Sequence, residues 1–300
     1  MKRQRIFVAG EHGQVARALA RCYAARGDTV ACAGRSTLDI ADGTAAARAI
    51  AEFRPDLVVN AAAYTDVDRA EDESDLAFRV NRDGAGNLAA AARTTNAPII
   101  HVSTDYIFDG KKPQAYVEAD ATNPLGAYGR SKLAGEQAVA AEAPAHVILR
   151  TSWVYSPDGS NFVLTMLRLA RERDEIPVVD DQWGAPTSAA DLAGTIATIG
   201  DMVLSPGDRS RLYGIYHAAG TGETSRCRFA RAIMIGSAAQ GGPACRIRAI
   251  TTDEFPTRAR RPANSRLNCS KIADIFGLKL PHWASSLDIC IAQLRAQGAI

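Results

Sequence analysis

Arg5-Ile6-Phe7-Val8-Ala9-Gly10-Glu11-His12-Gly13-Gln14-Val15-Ala16 decides the fold. An apolar run ends on Gly10, and a helical pattern opens at Gly13 and runs to Ala25. Glycines at such a junction let the backbone turn tightly and approach a pyrophosphate. The new helix then offers free N–H donors to the anion. In this GxxGxxA spacing Ala16 is small enough for helix and strand to pack closely. The stretch therefore predicts a dinucleotide loop formed by Gly10, Glu11, His12, Gly13, Gln14 and Val15. A carboxylate facing a diphosphate is unfavourable, so Glu11 is expected to point to solvent.

The same alternation continues outward from this loop. Strands are predicted at Thr29–Ala33, Asp56–Asn60, Pro98–Ser103 and Val147–Thr151. Helices are predicted at Thr44–Phe53, Ser74–Thr94 and Leu125–Ala143. The strands are continuously apolar, as strands buried on both faces should be. Alternating strands and helices predict an α/β fold: a Rossmann-like, doubly wound parallel sheet.

Beyond Thr151 the rhythm changes. Helices are predicted at Asn161–Arg173, Ala189–Leu204, Glu223–Ala239 and Ala284–Arg295, and strands at Pro177–Asp180, Gly214–Ala218 and Arg246–Ile250. The remainder reads as loop. The division expected is a nucleotide-binding unit over 1–151, to which about 181–218 returns, and a smaller α/β substrate unit over 152–180 and 219–300.

The chain has 300 residues, 47% of them hydrophobic, with 35 Lys+Arg against 33 Asp+Glu and a net charge of +2. That composition is ordinary for a globular protein, and the charge balance gives no case for a nucleic-acid partner. No apolar run approaches the ~20 residues of a membrane span. The basic start MKRQR leads into too short an apolar run for a targeting segment and reads as the approach to a first strand. The six cysteines form no CxxC pair and the five histidines are scattered, so reduced thiols in a cytoplasmic protein and no metal site are expected.

Four further stretches carry chemistry. The run Ala33-Gly34-Arg35-Ser36 ends the second strand with a cation where an NAD site often has an acid. Arg35 can pair with a 2′-phosphate, which predicts NADPH, with NADH left open. Ala61-Ala62-Ala63 follows the third strand, and small residues there let a cofactor lie close to the backbone. Val102-Ser103-Thr104-Asp105-Tyr106 ends the fourth strand. Downstream, Tyr128 and Lys132 stand at helical i, i+4 spacing and share a face. An ammonium beside a phenol of pKa ~10 is expected to lower it toward general acid work.

In this order the motifs resemble those of the extended short-chain dehydrogenase/reductases. More narrowly, the chain resembles the dTDP-4-dehydrorhamnose reductase family. The specific stretches are His12-Gly13-Gln14-Val15, Asn60-Ala61-Ala62-Ala63-Tyr64-Thr65-Asp66, Ser103-Thr104-Asp105-Tyr106-Ile107-Phe108-Asp109-Gly110, Tyr128-Gly129-Arg130-Ser131-Lys132, Asp181-Gln182-Trp183-Gly184 and Arg261-Pro262-Ala263-Asn264. The resemblance implies NADPH-dependent reduction of the C4 keto group of dTDP-4-dehydro-L-rhamnose. Tyr128 would protonate the C4 oxygen, Thr104 would polarise the carbonyl, and Lys132 would lower the Tyr128 pKa and hold the nicotinamide ribose. Asp39, Ile40 and Ala61 to Ala63 would line the cofactor with Arg35 and the loop. Val67, Asp105, Tyr106 and Trp153 would border the sugar, with Asn161 and Arg261 toward the diphosphate. Magnesium seen in some members is not carried over, because Val15 and Ala190 stand where two of its glutamates are expected. A homodimer is a family expectation. Two alternatives stay open: a reductase of another nucleotide-linked 4-keto-6-deoxysugar, or a non-catalytic NADP-binding regulatory subunit.

Overall fold

The computed structural model describes residues 3–300. Its centre is a six-stranded sheet built from β1 (Arg5–Ala9), β2 (Thr29–Ala33), β3 (Leu57–Asn60), β4 (Ile99–Thr104), β5 (His146–Thr151) and β10 (Gly214–His217). The spatial order is β10-β5-β4-β3-β1-β2, and every pair is parallel. This is a doubly wound order, as predicted. The chain reverses its direction of travel between β1 and β3, and ligands in such sheets bind outside the carboxyl ends at that switch point.

Helices cover both faces. On one side lie α1 (Gln14–Ala25) and α8 (Ala189–Leu204), whose Leu19, Leu192, Ile196 and Ile199 pack on Ile6, Val8, Leu57 and Val59. On the other lie α2 (Gly43–Phe53), α5 (Gly84–Thr94) and α6 (Ala127–Glu142). Local chemistry sets their starts. Asp42 caps α2 by accepting from the Thr44 and Ala45 N–H groups at 2.9 and 3.0 Å, and Ser188 caps α8.

The long helix predicted over Ser74–Thr94 is not regular. A short α3 (Arg69–Asp72) precedes α4 (Ser74–Phe78), and a wide π turn (Arg79–Asp83) joins α4 to α5. The buried Asn81 explains the turn. Its amide oxygen accepts from the Tyr64 N–H at 2.8 Å, and its amide nitrogen donates to the Tyr64 carbonyl and to Ser131 Oγ. The displaced Asn81 carbonyl presses on α6 where Gly135 stands, and any Cβ there would collide with it. The π turn thus fixes the depth of α6 and, with it, Tyr128 and Lys132.

A second core lies apart from the sheet. It gathers α7 (Phe162–Ala170), β7 (Glu175–Val179), α9 (Arg226–Ala239), β12 (Arg246–Ile250) and α11 (Trp283–Ala296) around Phe229, Ile233, Leu287 and Ile291. The strands β7 and β12 pair in parallel. Small ladders stitch the connecting chain: β6 (Val154–Tyr155) with β9 (Thr187–Ser188), and β8 (Trp183–Gly184) with β11 (Thr224–Ser225). The β11 strand shortens the helix predicted from Glu223, which begins at Arg226. One element of the expected loop-rich tail is helical: α10 (Ser270–Phe276) buries Ile272 and Phe276 in the first core, so part of the C-terminal stretch covers the large sheet. Among the described residues, no helix is long and apolar enough to cross a membrane.

Candidate active site

The carboxyl ends of β1, β3, β4 and β5 open into a cleft of about 510 Å³. Its walls include His12, Gly13, Gln14 and Val15 from the first loop, with Ala61, Ala63 and Val67 after β3. Thr104, Asp105, Tyr106, Tyr128, Lys132 and Trp153 complete it. Most residues predicted from separate stretches therefore meet in one place.

Gly10 shows why the loop can hold a dinucleotide. It has φ +106°, and a Cβ there would stand 3.0 Å from the Ala61 carbonyl and the Ala62 nitrogen. Only glycine lets the loop lie this close to the β3 end. Gly13 caps α1 without a side-chain acceptor, and no acidic residue sits in the first turn. The first N–H groups of α1 are thus open to an anion. These residues fit a dinucleotide.

Several placements differ from expectation. Ala62 turns away from the cleft and packs in the core on the other face of the sheet. Ile40 is buried in that core against Gly84, and its carbonyl accepts from Asn87 Nδ2 at 3.0 Å, so its side chain is not free to line a cofactor. Arg35 and Asp39 are exposed beyond β2. Glu11 stays partly exposed but lies over Gly34, where a Cβ would stand 2.7 Å from its Cβ and 2.8 Å from Oε2. Gln14 Oε1 accepts from Ser156 Oγ at 3.1 Å and Asn161 Nδ2 at 3.0 Å, tying the loop to the segment before α7. Asn161 is accordingly a cap, accepting from the Leu164 N–H at 3.1 Å while its amide also donates to the Ser156 and Asp158 carbonyls. Both ends of that side chain are engaged, which removes it from the diphosphate role.

The catalytic candidates sit deep. Tyr128 packs edge-on against Tyr106, with ring centroids 5.5 Å apart. Burial raises its phenol pKa above the ordinary value, and the hydrogen bond with Thr104 opposes that shift. This corrects the expectation of a lowered phenol: desolvation dominates, and the charge of Asp105 adds to it. Lys132 Nζ donates to the Val102 carbonyl at 2.7 Å, and burial pushes its pKa down to about 8, with the charge of Glu136 opposing. Thr104 Oγ1 donates to Asp105 Oδ1 at 3.1 Å and accepts from the Tyr106 N–H at 3.2 Å. Burial lifts the Asp105 carboxyl to about 6, and its Oδ2 has no partner.

Trp153 is held under constraint. It is one of three non-glycine residues with positive φ among the described residues, at +48°. Its indole lies on Gly184, where a Cβ would come within 2.6 Å of Cε2. The Arg226 guanidinium stacks over the same indole, 3.7 Å from the ring centroid. Arg226 is placed by the β8–β11 ladder, and its N–H donates to the Gln182 carbonyl at 3.2 Å. Its side chain borders both the cleft and a neighbouring cavity of about 720 Å³. Ile176, Val178, Met166, Phe255 and Arg261 are among the walls of that cavity. Burial lowers the Arg226 pKa, opposed by Tyr106 and Asp105, and no carboxylate lies within ion-pair distance among the described residues.

Arg261 differs. It is committed to Asp68, donating at 2.7 and 3.2 Å, and so anchors the 258–261 segment beside the loop after β3. Arg226 is the functional candidate that the sequence reading missed. A signal was present: a cation in the first turn of a helix opposes the helix dipole. It stayed hidden because the helix was expected to start three residues earlier.

Comparison with known proteins agrees with this geometry. The family model described as the RmlD substrate binding domain matches residues 4–296. The dTDP-4-dehydrorhamnose reductase of Sinorhizobium fredii is 47% identical over 294 residues, covering 98% of this chain and 99% of that one.

The chain belongs to the dTDP-4-dehydrorhamnose reductase family.

The family assignment makes it an oxidoreductase. The family member of Escherichia coli K12 is 40% identical over 300 residues, 98% of this chain and 99% of its own. A crystal structure from Bacillus anthracis, solved in complex with NADP, superposes with TM-score 0.90 at 35% identity, over 97% of this chain and 99% of that one. The match runs through both cores, so the family relation covers the neighbouring cavity as well as the cleft.

Proposed function

We propose that the chain reduces the C4 carbonyl of dTDP-4-dehydro-L-rhamnose to give dTDP-L-rhamnose, using NADPH. The observation that carries this reading is the meeting of Thr104, Tyr128 and Lys132 in one cleft that adjoins a second cavity at Arg226. The reductase names of the relatives support the sugar, and the NADP complex of the Bacillus anthracis relative supports the cofactor.

When bound, the reduced nicotinamide supplies hydride. The protein supplies the proton and the electrostatics. A phenol raised by burial stays protonated at neutral pH, so Tyr128 holds the proton at Oη until charge develops on the C4 oxygen. The Thr104 hydroxyl turns its single proton from Asp105 to the same oxygen and polarises the carbonyl. Lys132, with a pKa of about 8, is mostly charged at neutral pH. Its ammonium stabilises the phenolate left on Tyr128 and donates to the ribose hydroxyls. Val67, Asp105, Tyr106 and Trp153 border the sugar, and the unpartnered Asp105 Oδ2 can accept from a sugar hydroxyl. The sugar then lies between the nucleotide-binding unit, 1–151, and the substrate unit, 152–180 and 219–300. Arg226 faces the diphosphate, and the apolar second cavity takes the base.

The test is consumption of NADPH by the purified protein given dTDP-4-dehydro-L-rhamnose. Oxidation that depends on the sugar is expected, and its absence with cofactor bound would sink the reading. In the same assay Arg226→Ala is expected to raise KM about 10-fold or more with a smaller change in kcat, as loss of a charge-assisted bond to phosphate predicts.

A further inference from the structure

Glu11 occupies a place that belongs to another residue in dinucleotide folds. In NAD-binding sheets of this kind a carboxylate from the end of β2 reaches the adenosine ribose, and a cation nearby serves the 2′-phosphate of NADP. Here the β2 end is Gly34, which has no side chain, and Arg35 follows it. The position that a Gly34 Cβ would take lies 2.8 Å from Glu11 Oε2 and 2.7 Å from Glu11 Cβ. A carboxylate from the first loop thus fills the space a β2 acid would use. Gly34 makes that possible, because any larger residue would expel it. The backbone fixes the approach, since the Gly10 N–H donates to the Ala33 carbonyl at 2.8 Å. His12 Nε2 stands 3.7 Å from Glu11 Oε2; the His12 side chain is exposed and that of Glu11 partly so. The Arg35 side chain is exposed and makes no ion pair among the described residues.

We propose that Glu11 and Arg35 form a split selector at the adenosine ribose, in which Glu11 favours NADH and restrains the preference for NADPH. The Glu11 carboxylate accepts from a free 2′-hydroxyl, and it repels a 2′-phosphate. Arg35 does the reverse. The loop therefore carries one group for each cofactor, and their opposition sets the ratio. This rests on the reading of the cleft as a nicotinamide site, and it adds the residue that decides between the two cofactors.

The test needs no turnover. NADPH and NADH are titrated separately into the purified full-length protein, and the dissociation constants are read from nicotinamide fluorescence. Glu11→Gln keeps the shape and removes the charge. It is expected to shift the NADPH-over-NADH affinity ratio about tenfold toward NADPH, as loss of one close like charge near a surface predicts. Arg35→Ala is expected to shift the ratio at least as far the other way. A ratio within twofold of wild type in Glu11→Gln would overturn the proposal. Should that variant fold poorly, judged by circular dichroism, Glu11→Thr gives the same reading of charge removal. Binding of neither cofactor by the wild-type protein would overturn the nicotinamide reading itself. Tight binding of both with an unmoved ratio would overturn the selector alone.

Discussion

Replacing Tyr128 with Phe is expected to cut turnover by about 10²–10⁴-fold, the usual worth of a positioned general acid. Phe keeps the ring and its edge contact with Tyr106, 5.5 Å between centroids, so the wall of the cleft is preserved. It removes only the oxygen that carries the proton. Cofactor affinity, read by nicotinamide fluorescence, should stay within a few-fold of wild type, because the phosphate loop and Lys132 are untouched. The burial of Tyr128 sharpens the expectation. The other phenol of the cleft, Tyr106, lies beside it, its pKa also raised by burial. A variant with near-normal turnover would remove Tyr128 from the proton step and move attention to Tyr106.

The largest stability effect is expected at Glu136. This residue lies one turn beyond Lys132 on α6, and it forms an ion pair with Arg150 of β5 at 2.7 Å. Both side chains are nearly inaccessible, at 3% and 4% exposure. The carboxylate also accepts from Ser103 Oγ at 2.5 Å and from Arg150 Nε at 3.0 Å. Arg150 donates further to the Glu118 carbonyl at 3.3 Å. Such a pair contributes little over an apolar replacement, yet breaking it is costly, because one charge is left buried without its partner. Glu136→Ala should therefore destabilise by about 3–5 kcal/mol. For a chain of this size that lowers the thermal midpoint by on the order of 10 °C. The double variant Glu136→Ala with Arg150→Met should recover part of the loss. A single variant melting within a degree or two of wild type would contradict this account of the network.

The network also explains how the cleft is aimed. Ser103 and Thr104 are adjacent at the end of β4, and their side chains go to opposite sides of the sheet end. Ser103 is spent on Glu136, while Thr104 lines the cleft and donates to Asp105 Oδ1. The motif thus divides into a hydroxyl spent on the ion-pair network and one that lines the cleft. Gly135, beside Glu136, lets α6 meet the π turn at Asn81, so the same few residues set both stability and placement.

Much of this was legible before the structure. The continuously apolar strands β1 to β5 and the glycine junction at Gly10 specify a parallel sheet with its ligand site at the strand ends, and periodicity suffices to see both. Tyr128 and Lys132 follow from helical spacing, and Thr104 from its place at a strand end. Other features depend on contacts between distant segments. Asn161 reads as a candidate ligand, but its amide is consumed by Gln14, far away in the chain. Ile40 lies next to an exposed Asp39, yet the missing side chain at Gly84 draws it into the core. The raised phenol of Tyr128 comes first from desolvation, which spacing along the sequence does not show. The approach of Glu11 to Gly34 is hidden for a related reason: the space that receives it follows another strand. The short helix Ser270–Phe276 sits in a stretch too brief to show a period, and its stop at Gly277, φ +67°, reads equally well as a turn.

The most direct test of the account follows the hydrogen rather than the rate. The wild-type protein is given NADPH carrying deuterium at the nicotinamide C4 position and dTDP-4-dehydro-L-rhamnose, and the sugar product is examined by NMR. The account predicts a single deuterium at sugar C4 in dTDP-L-rhamnose, with the oxygen protonated. Deuterium elsewhere in the sugar, or bound cofactor with no labelled product at all, would contradict the central claim that this cleft reduces the C4 carbonyl.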